Sequence, residues 1–200
     1  MRGPVAGVLL LAAVGHAADG DWERLGERDG IAIERRTTAG SPIRELRFTT
    51  HSPVPPPALL ATIWKHQEYP QFVPYLERLD VLRDDGDSKL IYEQIGLPLL
   101  KDRDVTLRVT RTTSAEGVRE VTSVAVPDEG PPESGDHVRV RTSRSLWQLA
   151  PTDDGGTAVT YRIGTDAGGG IPAWILDRIQ RDAAVKVLRA MLERARRTNP

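Results

Sequence analysis

Three consecutive ions, Asp102, Arg103 and Asp104, are the residues of this 200-residue chain best suited by type and position to hold a polar group. They open a run in which Val105, Leu107 and Val109 alternate with Thr106, Arg108 and Thr110, the period of a strand. Parity puts Arg103 on the apolar face and Arg108 on the other. An inward Arg103 is a buried cation, and burying an isolated charge is costly. It therefore needs Glu93, one strand earlier, or Asp102, or a bound ligand to neutralise it. The same three ions also read as a strand-start ion-pair cluster that sets register, and both readings stay open.

Other chemistry finds little support. His16, His51, His66 and His137 show no metal-ligand spacing, and no His-Glu-x-x-His pattern occurs. There is no cysteine, hence no disulfide or thiolate. Gly-x-Ser-x-Gly, phosphate-loop and dinucleotide patterns are missing. Gly168-Gly169-Gly170 lacks the lysine of a phosphate cradle and reads as a hinge before a helix. Asp84, Asp85 and Asp87 lack the distant glutamate of a calcium loop and read as a solvated hairpin turn. Arg139, Arg141 and Arg144, with Arg108 and Arg111, form a basic stripe that is either a solvated strand face or a contact for anionic headgroups. With 27 basic and 28 acidic residues, the formal charge of −1 gives no bulk attraction to nucleic acid.

The elements that must position these groups follow from periodicity. Residues 1–18 carry a basic start, an apolar run from Val5 to Val14 and small residues at its end, as a secretory signal peptide does. Cleavage after Ala17 or Ala18 and a soluble periplasmic or secreted product are expected, with residues 19–200 as one domain. Trp22 to Leu25 reads as a helical or irregular lead-in. Ile31–Arg36 and Ile43–His51 read as a hairpin turning at Ser41-Pro42, and Pro53 and Pro55–Pro57 lead into a helix over 58–66. Tyr69 to Tyr75 reads as a short helix or turn. From Leu76 to Thr165 the pattern is an antiparallel meander: 79–83, 89–95 (stopping at Gly96-Leu97-Pro98), 102–113, 118–126, 137–144, 145–150 and 157–165. Ile171-Pro172 then opens a helix of about 25 residues, with Ile171, Trp174, Ile175, Ile179, Ala184, Leu188, Met191 and Leu192 on an apolar stripe.

An ordered series of residues resembles a known family. Trp22 with Asp29-Gly30-Ile31, Leu76-Glu77, Ile91-Tyr92, Pro98 with Asp102-Arg103-Asp104, Ser123, Val138-Arg139, Trp147 with Pro151, and Val159-Thr160-Tyr161 fall in the family's order. Most specific is Asp166-Ala167-Gly168-Gly169-Gly170-Ile171-Pro172-Ala173-Trp174, at the entry to the last helix. Together they resemble the START (steroidogenic acute regulatory protein-related lipid transfer) domains of the Bet v 1-like group, in a bacterial, exported form. The resemblance implies an α+β helix-grip fold, a curved antiparallel sheet wrapped around a long C-terminal helix. It also implies a cavity for one lipid or other hydrophobic small molecule, a gating loop at Pro127–Asp136, and no cofactor or metal.

The cavity candidates are the aromatics Trp64, Phe72, Tyr75, Tyr92, Trp147, Tyr161 and Trp174, together with Glu93, Arg103 and Leu188. Each aromatic fits an ordinary core equally well. The leading expectation is a monomeric, non-enzymatic protein that binds and transfers such a ligand and touches membrane surfaces transiently. A ligand burying ~400 Å² would gain about 10 kcal/mol before ordering costs. A second expectation is a polyketide cyclase or aromatase with Tyr92, Arg103 and Asp104 in its pocket, against which the signal peptide argues. A third is a protein whose cavity is filled by its own side chains; a void below about 300 Å³ points that way.

Overall fold

The computed structural model describes residues 22–37, 43–96, 100–168, 170 and 173–199. Strands β1 (Glu23–Arg28), β2 (Ile31–Thr37) and β3 (Arg44–Ser52) come first, followed by helix α1 (Pro56–Trp64) and a 3-10 helix over His66–Gln71. Strands β4 (Leu76–Asp84), β5 (Ser88–Ile95), β6 (Arg103–Thr113), β7 (Arg119–Ala125), β8 (Val138–Arg139), β9 (Thr142–Pro151) and β10 (Thr157–Asp166) precede helix α2 (Ala173–Thr198). The strands form one curved sheet in the order β1-β2-β3-β10-β9-β7-β6-β5-β4, with β8 beside β6. The helical segment after β3 carries the chain to the far edge, and the meander returns until β10 pairs with β3. The fold is the expected α+β helix-grip.

Proline sets the first boundary. Pro56 and Pro57 occupy the opening turn of α1, where an amide donor has no partner within the helix. At the other end, the orphan carbonyls of Ile63 and Trp64 are capped from outside. The Tyr69 hydroxyl donates to Ile63 O at 2.5 Å and Lys89 Nζ to Trp64 O at 3.2 Å. At the β4–β5 turn, Gly86 adopts φ +85°, and its amide donates to the Asp84 carboxylate at 3.0 Å. That turn starts β5 in the register that sends Glu93 inward.

Three local expectations change. Residues 23–28 form a strand instead of a helical lead-in, because Glu23 and Arg24 pair with Arg35 and Glu34, and a register shift before Gly26 absorbs the poor alternation. Thr142–Pro151 is one unbroken strand, so no boundary falls at Ser145. Val138–Arg139 pairs with Arg103–Asp104 in parallel, outside the antiparallel meander. The proposed signal peptide, the Ser41-Pro42 turn, Leu97-Pro98, Gly169 and the Ile171-Pro172 helix start lie outside the described residues. No helix among the described residues is long and apolar enough to cross a membrane.

Helix α2 has 26 residues, roughly 39 Å at 1.5 Å per residue. Val185, Leu188, Met191, Leu192 and Ala195 bury the C-terminal half in the core. Ion pairs bind its flank to the first strands: Asp177 with Arg35 and Arg44, Asp182 with Arg28, Arg189 with Asp29.

Candidate functional site

Between α2 and the inner face of the sheet lies a cavity of about 270 Å³. Strand parity selects its walls: Ile91, Glu93 and Ile95 on β5, Arg103, Val105 and Leu107 on β6, Val121 and Ser123 on β7. Ser145 and Trp147 on β9 and Tyr161 and Ile163 on β10 continue the wall, and α2 covers it with Leu176, Ile179, Gln180, Ala183 and Val187. The void exists because several of these side chains are small: Ser123 sits opposite Ser145 in the β7–β9 register, and Ala183 lies on the helix above. Its volume is nearly twice the ~150 Å³ that accommodates benzene. It falls just short of the roughly 300 Å³ at which ordinary ligand pockets begin, on the side of that line that points to the filled-cavity expectation, yet the hollow is not plugged by the protein's own side chains.

An arginine and a glutamate, Arg103 and Glu93, face this space. Arg103 is only 3% exposed. Its Nε donates to Ala167 O at 3.4 Å and its Nη1 to Lys101 O. Burial pulls the guanidinium pKa down, against an opposing attraction from Asp102. Glu93 faces Val105 across the ladder while Arg103 faces Ile95, which makes them diagonal neighbours on one face. The expected ion pair between them does not form: Glu93 has no salt bridge among the described residues, and burial alone raises its carboxyl pKa from 4.5 to about 7. Asp102 forms none with Arg103 either. The cation is held by main-chain carbonyls.

Near Arg103 the wall is hydroxylic. Ser143 and Thr165 share a hydrogen bond of 2.8 Å, and Gln180 Nε2 donates to Thr165 O at 2.7 Å, two residues from the Ala167 carbonyl that Arg103 contacts. Further in, the wall is aromatic. Trp147 and Tyr161 stack with centroids 4.2 Å apart, and Phe48 continues the stack beyond the wall. Burial, then the nearby Glu93, pushes the Tyr161 phenol up, and Tyr69 is raised for the same reasons. His66 borders the same end; desolvation and then Lys89 lower its pKa to about 4, and its Nδ1 donates to Trp64 O at 3.1 Å. The imidazole is neutral at ordinary pH.

Of the sequence candidates, Tyr75, Glu93, Arg103, Trp147 and Tyr161 line the cavity. Trp64, Phe72, Tyr92, Leu188 and Trp174 do not. Trp64 is buried at the end of α1 beneath Lys89 and Arg111. Phe72 packs edge-on against Tyr69 with Arg194 above it. Leu188 is fully buried in the core without reaching the void. Tyr92 points through the opposite face, because it is the strand neighbour of Glu93 and the two cannot share a side. Trp174 is 70% exposed. It lies on the line of α2 that Val185 and Leu192 continue about three and five turns later, but at its own level no described element covers it. Sequence reasoning missed Tyr69, Ser143, Ser145, Thr165, Gln180 and Met191; odd-number parity on β9 and β10 could have found the hydroxyls.

Pro127–Asp136, the expected gating loop, contributes no residue to the lining of this cavity. Asp104 and Arg139 form a bidentate pair on the outer face at 2.8 and 2.9 Å, joined by the Tyr92 hydroxyl at 2.9 Å. Arg139 also donates to Pro127 O and Pro131 O at 3.1 and 3.0 Å, which pins the loop to the outer sheet surface. Gly130 lies so close to Thr106 that a Cβ would sit 1.8 Å from its Oγ1. Four of the five arginines in the basic stripe are paired, Arg139 as above, Arg108 with Glu129, Arg141 with Glu133 and Arg111 with Asp87. Since Tyr92 and Asp104 belong to this outer cluster, the pocket assigned to a cyclase loses two of its three polar groups.

Comparison with known proteins agrees with this architecture. An uncharacterized protein of Pseudomonas aeruginosa is 30% identical over 200 residues, 96% of each chain. The phosphatidylcholine transfer protein of Homo sapiens is 27% identical over 180 residues, 87% of this chain and 83% of that one. The crystal structure of the STAR-related lipid transfer protein (fragment 25–204) from Xanthomonas axonopodis superposes with a TM-score of 0.80 at 25% identity, covering 88% of this chain and 98% of that one. The START domain family matches residues 11–200, and the chain belongs to that family.

Proposed function

We propose that this START protein is an exported, non-enzymatic carrier that binds one lipid or other hydrophobic small molecule beneath α2. The observation that carries the reading is a largely apolar void, closed on one side by a long helix, with Arg103 and Glu93 turned into it and no salt bridge on either among the described residues. An ordinary core places no such groups beside empty space. Apolar guests are held chiefly by removal from water, which requires no reacting group. The lipid-transfer relatives support the same class of ligand.

Delivery involves transient contact with a membrane surface, for which exposed Trp174 is the suited group, since indoles favour the headgroup boundary. Export rests on the apolar segment within residues 1–18. The deciding experiment is native mass spectrometry of protein recovered from the periplasmic fraction. A mature chain beginning after Ala17 or Ala18 and carrying one small hydrophobic molecule is expected. A bare chain that also binds no fluorescent fatty acid or lipid overturns the proposal.

A further inference from the structure

We infer that the guest is a single-chain amphiphile with a carboxylate head, bound with its head on Arg103 and its chain along the Trp147–Tyr161 wall. This rests on the carrier reading and names its ligand class. The starting point is an incomplete ion. Arg103 is buried, its hydrogen bonds go to the carbonyl oxygens of Lys101 and Ala167, and no carboxylate among the described residues forms a salt bridge with it. Asp104, its strand neighbour, points to the other face and is consumed by Arg139 and Tyr92. Glu93, on the same face, forms no salt bridge with Arg103, and burial raises its carboxyl pKa to about 7.

Carbonyl dipoles soften the cost of a buried guanidinium but do not cancel it, because a dipole falls short of an opposite charge. Among the described residues Nη2 makes no hydrogen bond, and Arg103 borders the void. A planar two-oxygen anion matches the guanidinium fork in shape and charge. The surrounding polar groups suit such a head: Ser143, Thr165 and Gln180 cluster at the same end, able to donate to or accept from an anion's solvation shell.

Volume limits the remainder of the molecule. About 270 Å³ lies below the usual range of drug-sized pockets. One flexible chain can thread between Ile91, Trp147, Tyr161 and Met191; two chains with a glycerol and a bulky zwitterionic head cannot without displacing α2. The guest is thus distinct in class from the phosphatidylcholine handled by the human relative.

The test uses delipidated mature protein and three probes: dodecanoate, dodecanol and didodecanoyl phosphatidylcholine. Calorimetry should show dodecanoate binding one-to-one and about tenfold or more tighter than dodecanol, the increment of a charge-assisted hydrogen-bonded pair. Arg103→Gln should erase that preference, bringing the dodecanoate-to-dodecanol affinity ratio close to one. Equal binding of dodecanoate and dodecanol by the wild type overturns the inference, and that comparison needs no folded variant. Tighter binding of the phosphatidylcholine also overturns it, while leaving the carrier reading intact. Failure of all three probes, with no molecule retained on purification, removes both.

Discussion

Lys186 on α2 donates a hydrogen bond of 2.5 Å to the Tyr75 hydroxyl and lies 4.9 Å from the centre of the same ring. Tyr75 stands between 3-10 helix and β4 with φ at +67°, a left-handed conformation that a bulky residue adopts at a cost. Its ring lines the cavity on one side, and the Lys186 ammonium that holds it is exposed on the other. The pair is therefore a clasp between α2 and the edge of the sheet. The opposite flank of the helix is fastened more firmly, through Asp177, Asp182 and Arg189.

From this asymmetry, Lys186→Ala should accelerate guest exchange more than it weakens binding. A hydrogen bond and cation–π contact at an exposed site contribute about 1 kcal/mol together, so the off-rate should rise about fivefold. Stopped-flow displacement of a fluorescent fatty acid measures it. An unchanged off-rate with normal affinity would show that guests pass elsewhere.

The Asp104–Arg139 pair has a different role. Both side chains are almost fully buried, Asp104 at 2%, and burial raises the aspartate pKa less than the hydrogen bonds from Arg139 and Tyr92 lower it. Removing one partner strands the other charge, which typically costs about 3–5 kcal/mol. Asp104→Asn and Arg139→Ala should lower the urea midpoint accordingly and increase proteolysis within 127–136, while any residual folded protein keeps its ligand preference. A stable Arg139→Ala protein with altered preference would place this cluster in the site after all.

These two pairs show what the sequence could and could not convey. Alternation was enough to turn Arg103 inward and Arg108 outward. The same rule, applied to Tyr92 beside Glu93, separates them; counting Tyr92 among the cavity aromatics disregards it. For Trp174 the helical line was correct, but a periodicity does not record where the covering surface ends. The route of the 127–136 loop depends on Arg139 reaching Asp104 thirty-five residues earlier, a contact with no local signature. Cavity size is the least legible quantity, since it depends on how closely α2 rides over Ser123, Ser145 and Ala183.

Glu93 and His66 give opposing pH effects. With its folded pKa raised from 4.5 to about 7, Glu93 makes the folded state hold a proton that the unfolded state has lost, so its contribution falls as pH climbs through that window. His66, lowered from 6.5 to about 4, does the reverse, and its contribution grows between those values. The two slopes oppose each other from pH 4.5 to 6.5, above which only the Glu93 loss continues. Glu93→Gln should remove a penalty on the order of 3 kcal/mol at pH 8. Its stability should then rise from pH 4 to 6.5 and level off. Urea titrations at pH 5, 6, 7 and 8 test this; a variant that still loses stability above pH 6.5 assigns the slope to another group.

Trp174 separates binding from delivery. It is exposed on the first turns of α2, while Leu176, Ile179 and Gln180 on the following turn line the cavity. A side chain that dips into the headgroup layer at this point would bring the polar end of the cavity, where Gln180 meets Thr165, to the membrane. Trp174→Ala should leave calorimetric affinity for a soluble fatty acid unchanged, since the residue touches no part of the void. The same variant should slow transfer between vesicles by about tenfold, the share expected from losing one interfacial aromatic contact of 1–2 kcal/mol. Transfer at the wild-type rate would show that α2 does not meet the bilayer through its N-terminal end.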